Sequence, residues 1–314
     1  MSVVSVGPMI VGPGAEAYLT WPGLCQALEA GHRLPRAELA DTMLHRRDDV
    51  LLTRNAWIDG MGLAVKSATV FPGNAALGRP TVNGAVNLYA DQTGELEAIV
   101  DFHLVTKWKT AGDSLLAASH LARPDARAIL LVGAGTVARS MVGAYRSRFP
   151  AAGFQVWNRS PLAAERMAAE VAGVTAVSDL AAAVACADII CTATMATEPL
   201  IRGEWLKPGT HLDLIGAYRP DMREVDDDTL RRSRLFVDAR ATTIHHIGEL
   251  KDPIARGVIT EADVLGDFYD LASGGFRRTT RDEITIAKNG GGAHLDLMVA
   301  RHVLAVWRAA QGLG

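Results

Sequence analysis

The chain has 314 residues, 49% of them hydrophobic and 21% charged, with a formal net charge of −3. That length is comfortable for two domains with sizeable cores, and the balance is that of an ordinary globular protein. A basic excess with interleaved aromatics, a charged and apolar leader, and a run of about 18 apolar residues are all missing, so no nucleic acid and no membrane is expected as a partner and the expected location is cytoplasmic.

Cys25, Cys186 and Cys191 form no Cys-x-x-Cys pair and read as small buried hydrophobes in a reducing compartment. The histidines include His245-His246 but no spacing suited to metal ligation, so no metal is expected.

Along the first 120 or so residues the pattern predicts a helix near Leu24 to Ala30 and extended segments at Asp49 to Thr53, Gly62 to Lys66 and Val82 to Ala90. A turn at Asp91-Gln-Thr-Gly94 leads into a strand from Leu96 to Phe102, which makes an α+β domain with an antiparallel sheet. His103 just beyond reads as a core histidine. Ala122-Arg-Pro-Asp125 marks the crossing into a second domain.

That domain opens on the apolar strand Ala128 to Val132, which runs directly into Gly133-Ala-Gly-Thr-Val-Ala138 and a helix from Ala138 to about Arg148. A second apolar strand, Phe154 to Trp157, follows at βαβ spacing. In such a Gly-x-Gly-x-x-Ala turn Gly133 allows the tight bend, Gly135 presents no Cβ to a pyrophosphate and Ala138 lets helix and strand pack closely, while the helix N–H groups of Thr136, Val137 and their neighbours face the phosphates. After the second strand stands Asn158-Arg159-Ser160, where an enzyme using NAD usually carries an acid for the ribose 2′-hydroxyl. Asn158 removes that charge, and Arg159 and Ser160 offer donors to a 2′-phosphate, so NADP(H) is favoured with NAD(H) possible. A simpler reading is a polar turn in which Ser160 caps the next helix.

A helix from Leu162 to Val171, a short strand at Val174 to Val177 and a capped helix from Ser178 follow. Strands at Asp188 to Thr192, His211 to Ile215 and Leu235 to Asp238 come next, an alternation that argues for a parallel sheet covered on both faces. The tail from Leu295 to about Ala310 is an amphipathic helix beyond Gly290-Gly291-Gly292.

Several stretches in fixed order resemble the ornithine cyclodeaminase/mu-crystallin family: Val65-Lys66, Phe71-Pro-Gly-Asn74, Pro80-Thr81-Val82, Thr106-Lys-Trp-Lys109-Thr-Ala-Gly-Asp-Ser114, Leu121-Ala-Arg-Pro-Asp125, the nucleotide loop, Gly216-Ala-Tyr-Arg-Pro-Asp-Met-Arg-Glu224 and Asp282-Glu-Ile-Thr285. The resemblance covers nearly everything after about residue 45. It implies an α/β fold: a Rossmann-type NAD(P)-binding domain over residues 123–292, and an α+β substrate-binding and dimerisation domain over residues 1–122 to which 293–314 return. It further implies a homodimer, an imino- or amino-acid substrate, and a Lys66 that lines the substrate pocket opposite the nicotinamide. Thr81 and Lys109 join it on the substrate side; Thr192, Ala193, Thr194, Ile215, Gly216, Ala217, Asn289 and Gly290 join the loop residues on the cofactor side.

Two departures matter. Relatives carry arginine where this chain has Lys109, so the bidentate carboxylate clamp is expected to move to Arg54, with Arg46 and Arg47 as competitors. Cyclodeaminases carry an acid where this chain has Tyr218; a phenol can donate a proton but offers no carboxylate to an ornithine ammonium. Relatives combining these features look like Δ1-pyrroline-2-carboxylate and Δ1-piperideine-2-carboxylate reductases, with Lys66 and Tyr218 as the catalytic candidates. Ornithine cyclodeamination, alanine or opine dehydrogenation and a non-enzymatic NADP-binding role are the alternatives. Asp113 and Asp296 read either as ligand contacts or as helix charges placed for an i,i+4 pair with Lys109 and for the helix dipole.

Overall fold

The computed structural model describes residues 7–313. It divides into two compact units, residues 1–109 with 292–314, and residues 110–291. The dividing point falls after Lys109, inside the helix Phe102–Leu121, a turn or more before the Ala122-Arg-Pro-Asp125 stretch that the sequence marks as a crossing.

In the first unit β1 (Met9–Val11) and α1 (Trp21–Gly31) precede β2 (Glu38–Arg46), β3 (Asp49–Ile58), β4 (Gly62–Val70), β5 (Val82–Tyr89) and β6 (Leu96–Asp101). Their sheet has the order β1-β6-β5-β4-β3-β2, antiparallel except for β1 on β6. α2 (Phe102–Leu121) starts at the end of β6. His103 therefore falls on the first turn of a helix and is exposed, not a core histidine: Phe102, Leu104 and Val105 take the buried positions around it.

The second unit continues with β7 (Ala128–Val132), α3 (Thr136–Arg148), β8 (Gly153–Trp157), α4 (Pro161–Glu170), β9 (Val174–Ala176), α5 (Leu180–Cys186), β10 (Ile189–Thr192) and β11 (His211–Leu214). It ends with α6 (Asp227–Arg231), β12 (Ser233–Val237), α7 (Arg240–Thr243), α8 (Gly248–Ala255), β13 (Val264–Gly266) and β14 (Ile284–Lys288). All eight strands are parallel, in the order β13-β12-β14-β11-β10-β7-β8-β9. Beside β7 the chain builds outward in both directions, which is the switch point where open α/β sheets bind ligands. β14, the last strand in sequence, inserts between β11 and β12, an arrangement no local pattern announces.

α9 (Ala293–Ala310) clusters with the first unit and lies against β3, β4, β5 and β6, burying its first turns from Ala293 to Ala300. Of the cysteines only Cys191, in β10, is fully buried; Cys186 ends the short α5 and is exposed, so it is not the buried hydrophobe expected. Among the described residues no helix is long and apolar enough to cross a membrane.

Candidate functional site

The nucleotide loop of the second unit has the backbone its glycines predict. Gly133 adopts φ +114, and a Cβ there would stand 2.5 Å from the Ala193 carbonyl oxygen. A Cβ on Gly135 would meet nothing within 4 Å, so the space above it is open. Gly135 is the N-cap of α3 without a side-chain cap, which leaves the first helical N–H groups for an anion, while Ala138 is buried against the sheet. These features fit the pyrophosphate of a dinucleotide. At the end of β8, Asn158 accepts from Ala134 N (3.3 Å) and donates to Ser160 O (3.2 Å), which ties that turn to the glycine loop. Arg159 is exposed beside it. Ser160 is the N-cap of α4 but makes no side-chain capping bond, so the simpler reading of that turn lacks its hydrogen bond.

The remaining cofactor candidates gather at the C-terminal ends of β10, β11 and β14. Thr192 and Thr194 hydroxyls donate to Glu224 at 2.7 Å each, and Gly216 N donates to it at 2.8 Å. Ile215 N bonds Thr192 O at 3.0 Å, closing one loop on the next. Asn289 is buried and donates to Ser114 Oγ (3.0 Å) and Asp213 Oδ1 (3.2 Å); Gly290 N donates to Asp238 at 2.8 Å. Burial pushes the Asp213 carboxyl up to about 6, against the hydrogen bonds from Tyr145, Ser114 and Asn289 that favour its charged form. Tyr218 stands apart from this network: its side chain is exposed, with the Arg219 guanidinium 5.6 Å from the ring centroid.

In the first unit the strand registers place Asp41, Arg54 and Lys66 side by side on β2, β3 and β4, followed by Val86 on β5. Arg54 Nε donates to Asp41 at 2.9 Å. The β4 alternation turns Lys66 to the covered face, where only 6% of it is exposed. Its Nζ donates to Asp296 Oδ1 (2.8 Å) on α9 and to Thr106 Oγ1 (2.9 Å) on α2, with the Phe102 ring centroid 4.7 Å away. Burial lowers the Lys66 ammonium below the ordinary lysine range, Asp296 opposes that, and Lys109 and Arg54 add to it. Burial would raise the Asp296 carboxyl, but Lys66, Lys109 and Arg54 together hold it below the usual range. Lys109 is buried as well, and His294 is driven well below its usual pKa by burial, then by His32 and Lys109, so it is neutral near pH 7.

Asp296 thus belongs to the Lys66 cluster in preference to a mere dipole charge, and one of its oxygens, Oδ2, has no hydrogen-bond partner among the described residues. Asp113 is buried in the second unit, within electrostatic reach of Lys288. Arg46 pairs with Asp49 at the tip of the β2–β3 hairpin and Arg47 turns that tip with φ +56; neither is beside Lys66. Thr81 is half-buried just before β5, its carbonyl accepting from Phe71 N at 2.8 Å. The group to which the sequence reading assigned no role is Glu224: it closes a stretch named only for its family resemblance, and its burial depends on loops far from it in sequence.

Residues 37–311 match the ornithine cyclodeaminase/mu-crystallin family. The Δ1-pyrroline-2-carboxylate reductase of Paracoccus denitrificans is 50% identical over 313 residues, 98% of this chain and 99% of that protein. Among solved structures, the Thermococcus litoralis Δ1-pyrroline-2-carboxylate reductase in complex with NADH and L-proline superposes with TM-score 0.86 at 25% identity, covering 98% of this chain and 99% of its own. An archaeal alanine dehydrogenase dimer with bound NAD gives TM-score 0.87 at 26% identity over 98% of each chain. The chain belongs to the ornithine cyclodeaminase/mu-crystallin family and is an NAD(P)-dependent oxidoreductase acting on carbon–nitrogen bonds.

Proposed function

We propose that this protein reduces a cyclic ketimine carboxylate, Δ1-pyrroline-2-carboxylate or Δ1-piperideine-2-carboxylate, to L-proline or L-pipecolate, with NADPH favoured over NADH. The observation that carries the reading is the buried cluster of the first unit. Lys66 is buried and bonded to Asp296 and Thr106, and Lys109 and Arg54 lie within electrostatic reach of the same carboxylate, so cations of three elements converge on this point. Converging cations of this kind suit the carboxylate of an imino-acid substrate.

Lys66 has three N–H donors, and among the described residues Asp296 and Thr106 take two, so the third can reach a substrate atom. An ammonium with a lowered pKa gives up its proton more readily, so Lys66 suits protonation of the ketimine nitrogen, which makes the adjacent carbon electrophilic. The reduced nicotinamide, when bound, supplies the hydride to that carbon. Gly133, Gly135 and the α3 N-terminus would hold its pyrophosphate, and Arg159 with Ser160 the 2′-phosphate. Ornithine suits the cluster poorly, since its second ammonium would enter a site already cationic. A second copy of the chain is the proposed partner: β2 is exposed along its whole length, with Met43 60% and Leu44 67% accessible, and an uncovered apolar edge of this kind favours pairing.

The test is NADPH oxidation with each ketimine, with pyruvate plus ammonia, and ammonia release from L-ornithine measured separately. Turnover of a ketimine and none of ornithine is expected. Ammonia release without a net change in nicotinamide absorbance, with both ketimines inert, would overturn the proposal.

A further inference from the structure

Glu224 is fully buried, and among the described residues its carboxylate accepts from the loops that end β10 and β11. The donors are Thr192 Oγ1 (2.7 Å), Thr194 N (2.9 Å), Thr194 Oγ1 (2.7 Å), Gly216 N (2.8 Å) and Ala217 N (3.2 Å). Its own backbone is anchored from behind, because the Glu249 carboxylate accepts from Glu224 N (2.8 Å) and Val225 N (3.1 Å). Lys288 secures the same region from another side, donating to Leu214 O, Ala217 O and Asn289 O at 2.8, 2.8 and 2.7 Å.

These loops are in backbone contact with one another. A Cβ on Gly216 would stand 2.3 Å from both Thr194 N and Glu224 Oε1, and one on Gly133 would stand 2.5 Å from Ala193 O. The glycine loop after β7, the loop after β10 and the loop after β11 therefore form one continuous edge, and Glu224 sets the spacing of two of the three. A dinucleotide whose pyrophosphate lies at the β7 loop extends its adenosine half toward the end of β8, where Asn158 and Arg159 stand, so its other half lies along β10 and β11.

We infer that Glu224 is a positioning residue for the nicotinamide half of the dinucleotide, holding the Thr192–Thr194 and Gly216–Ala217 loops in the arrangement that receives it. The inference rests on the proposed dinucleotide site, but not on which imine is reduced. Every bond the carboxylate makes is one it accepts. Glu224→Gln keeps the shape and replaces an accepting oxygen with an N–H facing other donors, so the loops lose their common anchor while the adenosine end is untouched.

The experiment is equilibrium titration of the full-length parent and Glu224→Gln with two ligands, NADPH and 2′-phospho-ADP-ribose, which lacks the nicotinamide. Circular dichroism monitors folding. Glu224→Gln is expected to weaken NADPH about tenfold and the fragment by less than about twofold, tenfold being the loss of a hydrogen-bonded contact worth roughly 1.4 kcal/mol. Equal losses for both ligands would mark a merely structural residue and overturn the inference, as would no loss for either. Should Glu224→Gln fail to fold, Thr192→Val, which removes one hydroxyl donor, is expected to show the same asymmetry to a smaller degree, and a symmetric or absent effect there overturns it. A parent that binds NADPH no more tightly than the fragment would overturn the dinucleotide reading and this inference with it. Absence of ketimine turnover alongside the expected asymmetry would overturn only the substrate assignment.

Discussion

Asp296→Asn tests whether the buried charge cluster has the balance described above. The substitution keeps the volume and an accepting oxygen for Lys66 but removes the carboxylate that offsets Lys66, Lys109 and Arg54. Breaking a buried ion pair by removing one partner costs about 3–5 kcal/mol, and the retained amide oxygen places this case near about 3 kcal/mol at neutral pH. The pH dependence has a definite sign. The Lys66 pKa in the folded parent is already lowered, and loss of Asp296 lowers it further. Below that folded pKa the variant carries the full cost of an uncompensated buried ammonium. Between it and the unfolded value of about 10.4, the folded state sheds the proton and the cost is relieved, so stability rises with pH. Asp296 in the parent acts in the opposite range: its lowered pKa contributes stability above the unfolded carboxylate value that is lost as the pH falls through the folded one. Urea unfolding of parent and variant from about pH 6.5 to about pH 9.5 measures the gap between them. The gap should be widest at the acid end and narrow as the pH rises. A gap that is constant across the range, or below about 1 kcal/mol throughout, would refute the reasoning.

Three further outcomes are expected. Arg159→Ala should narrow the preference for NADPH over NADH by about 1.5–3 kcal/mol, read as the ratio of the two dissociation constants; equal constants in the parent would contradict the role given to this turn. Lys66→Ala should lower kcat/KM for the ketimine by several orders of magnitude, on the order of 10²–10⁴ from loss of general acid catalysis alone, and leave NADPH binding nearly intact; near-parental turnover would remove Lys66 from the chemistry. Tyr218→Asp should not by itself create an ornithine cyclodeaminase, because the cluster around Lys66 still repels a second ammonium. Proline formation from L-ornithine by that variant, at a rate comparable with the parent's ketimine reduction, would show that position 218 alone selects the reaction.

Properties that are local in the chain were readable from the chain. The strand Ala128–Val132, the turn at Gly133 and Gly135 and the helix after it depend on a few neighbouring residues: a positive φ, a missing Cβ and an apolar run leave few other conformations. The extended segment Gly62 to Lys66 was readable too, while the pocket-lining place of Lys66 came from the family resemblance, and the strand Gly62–Val70 buries that side chain. What it meets there was not readable. Asp296 reaches Lys66 across 230 residues, and Arg54 rather than Arg46 or Arg47 stands beside it because the β2–β3–β4 register, set by the hairpin turns, decides which positions are neighbours. A two-residue change of register would have placed Leu52 or Ala56 there instead. His103 turned outward because the helix begins there, at a boundary that composition does not mark. Glu224 is the plainest case. Nothing local marks it for burial, which follows only once β10 and β11 lie next to one another and bring together N–H and O–H groups that need a common acceptor. Backbone conformation is decided by what adjoins each residue along the chain, and so is legible in order; a charge's partner is decided by which elements pack together, and only the tertiary structure supplies that.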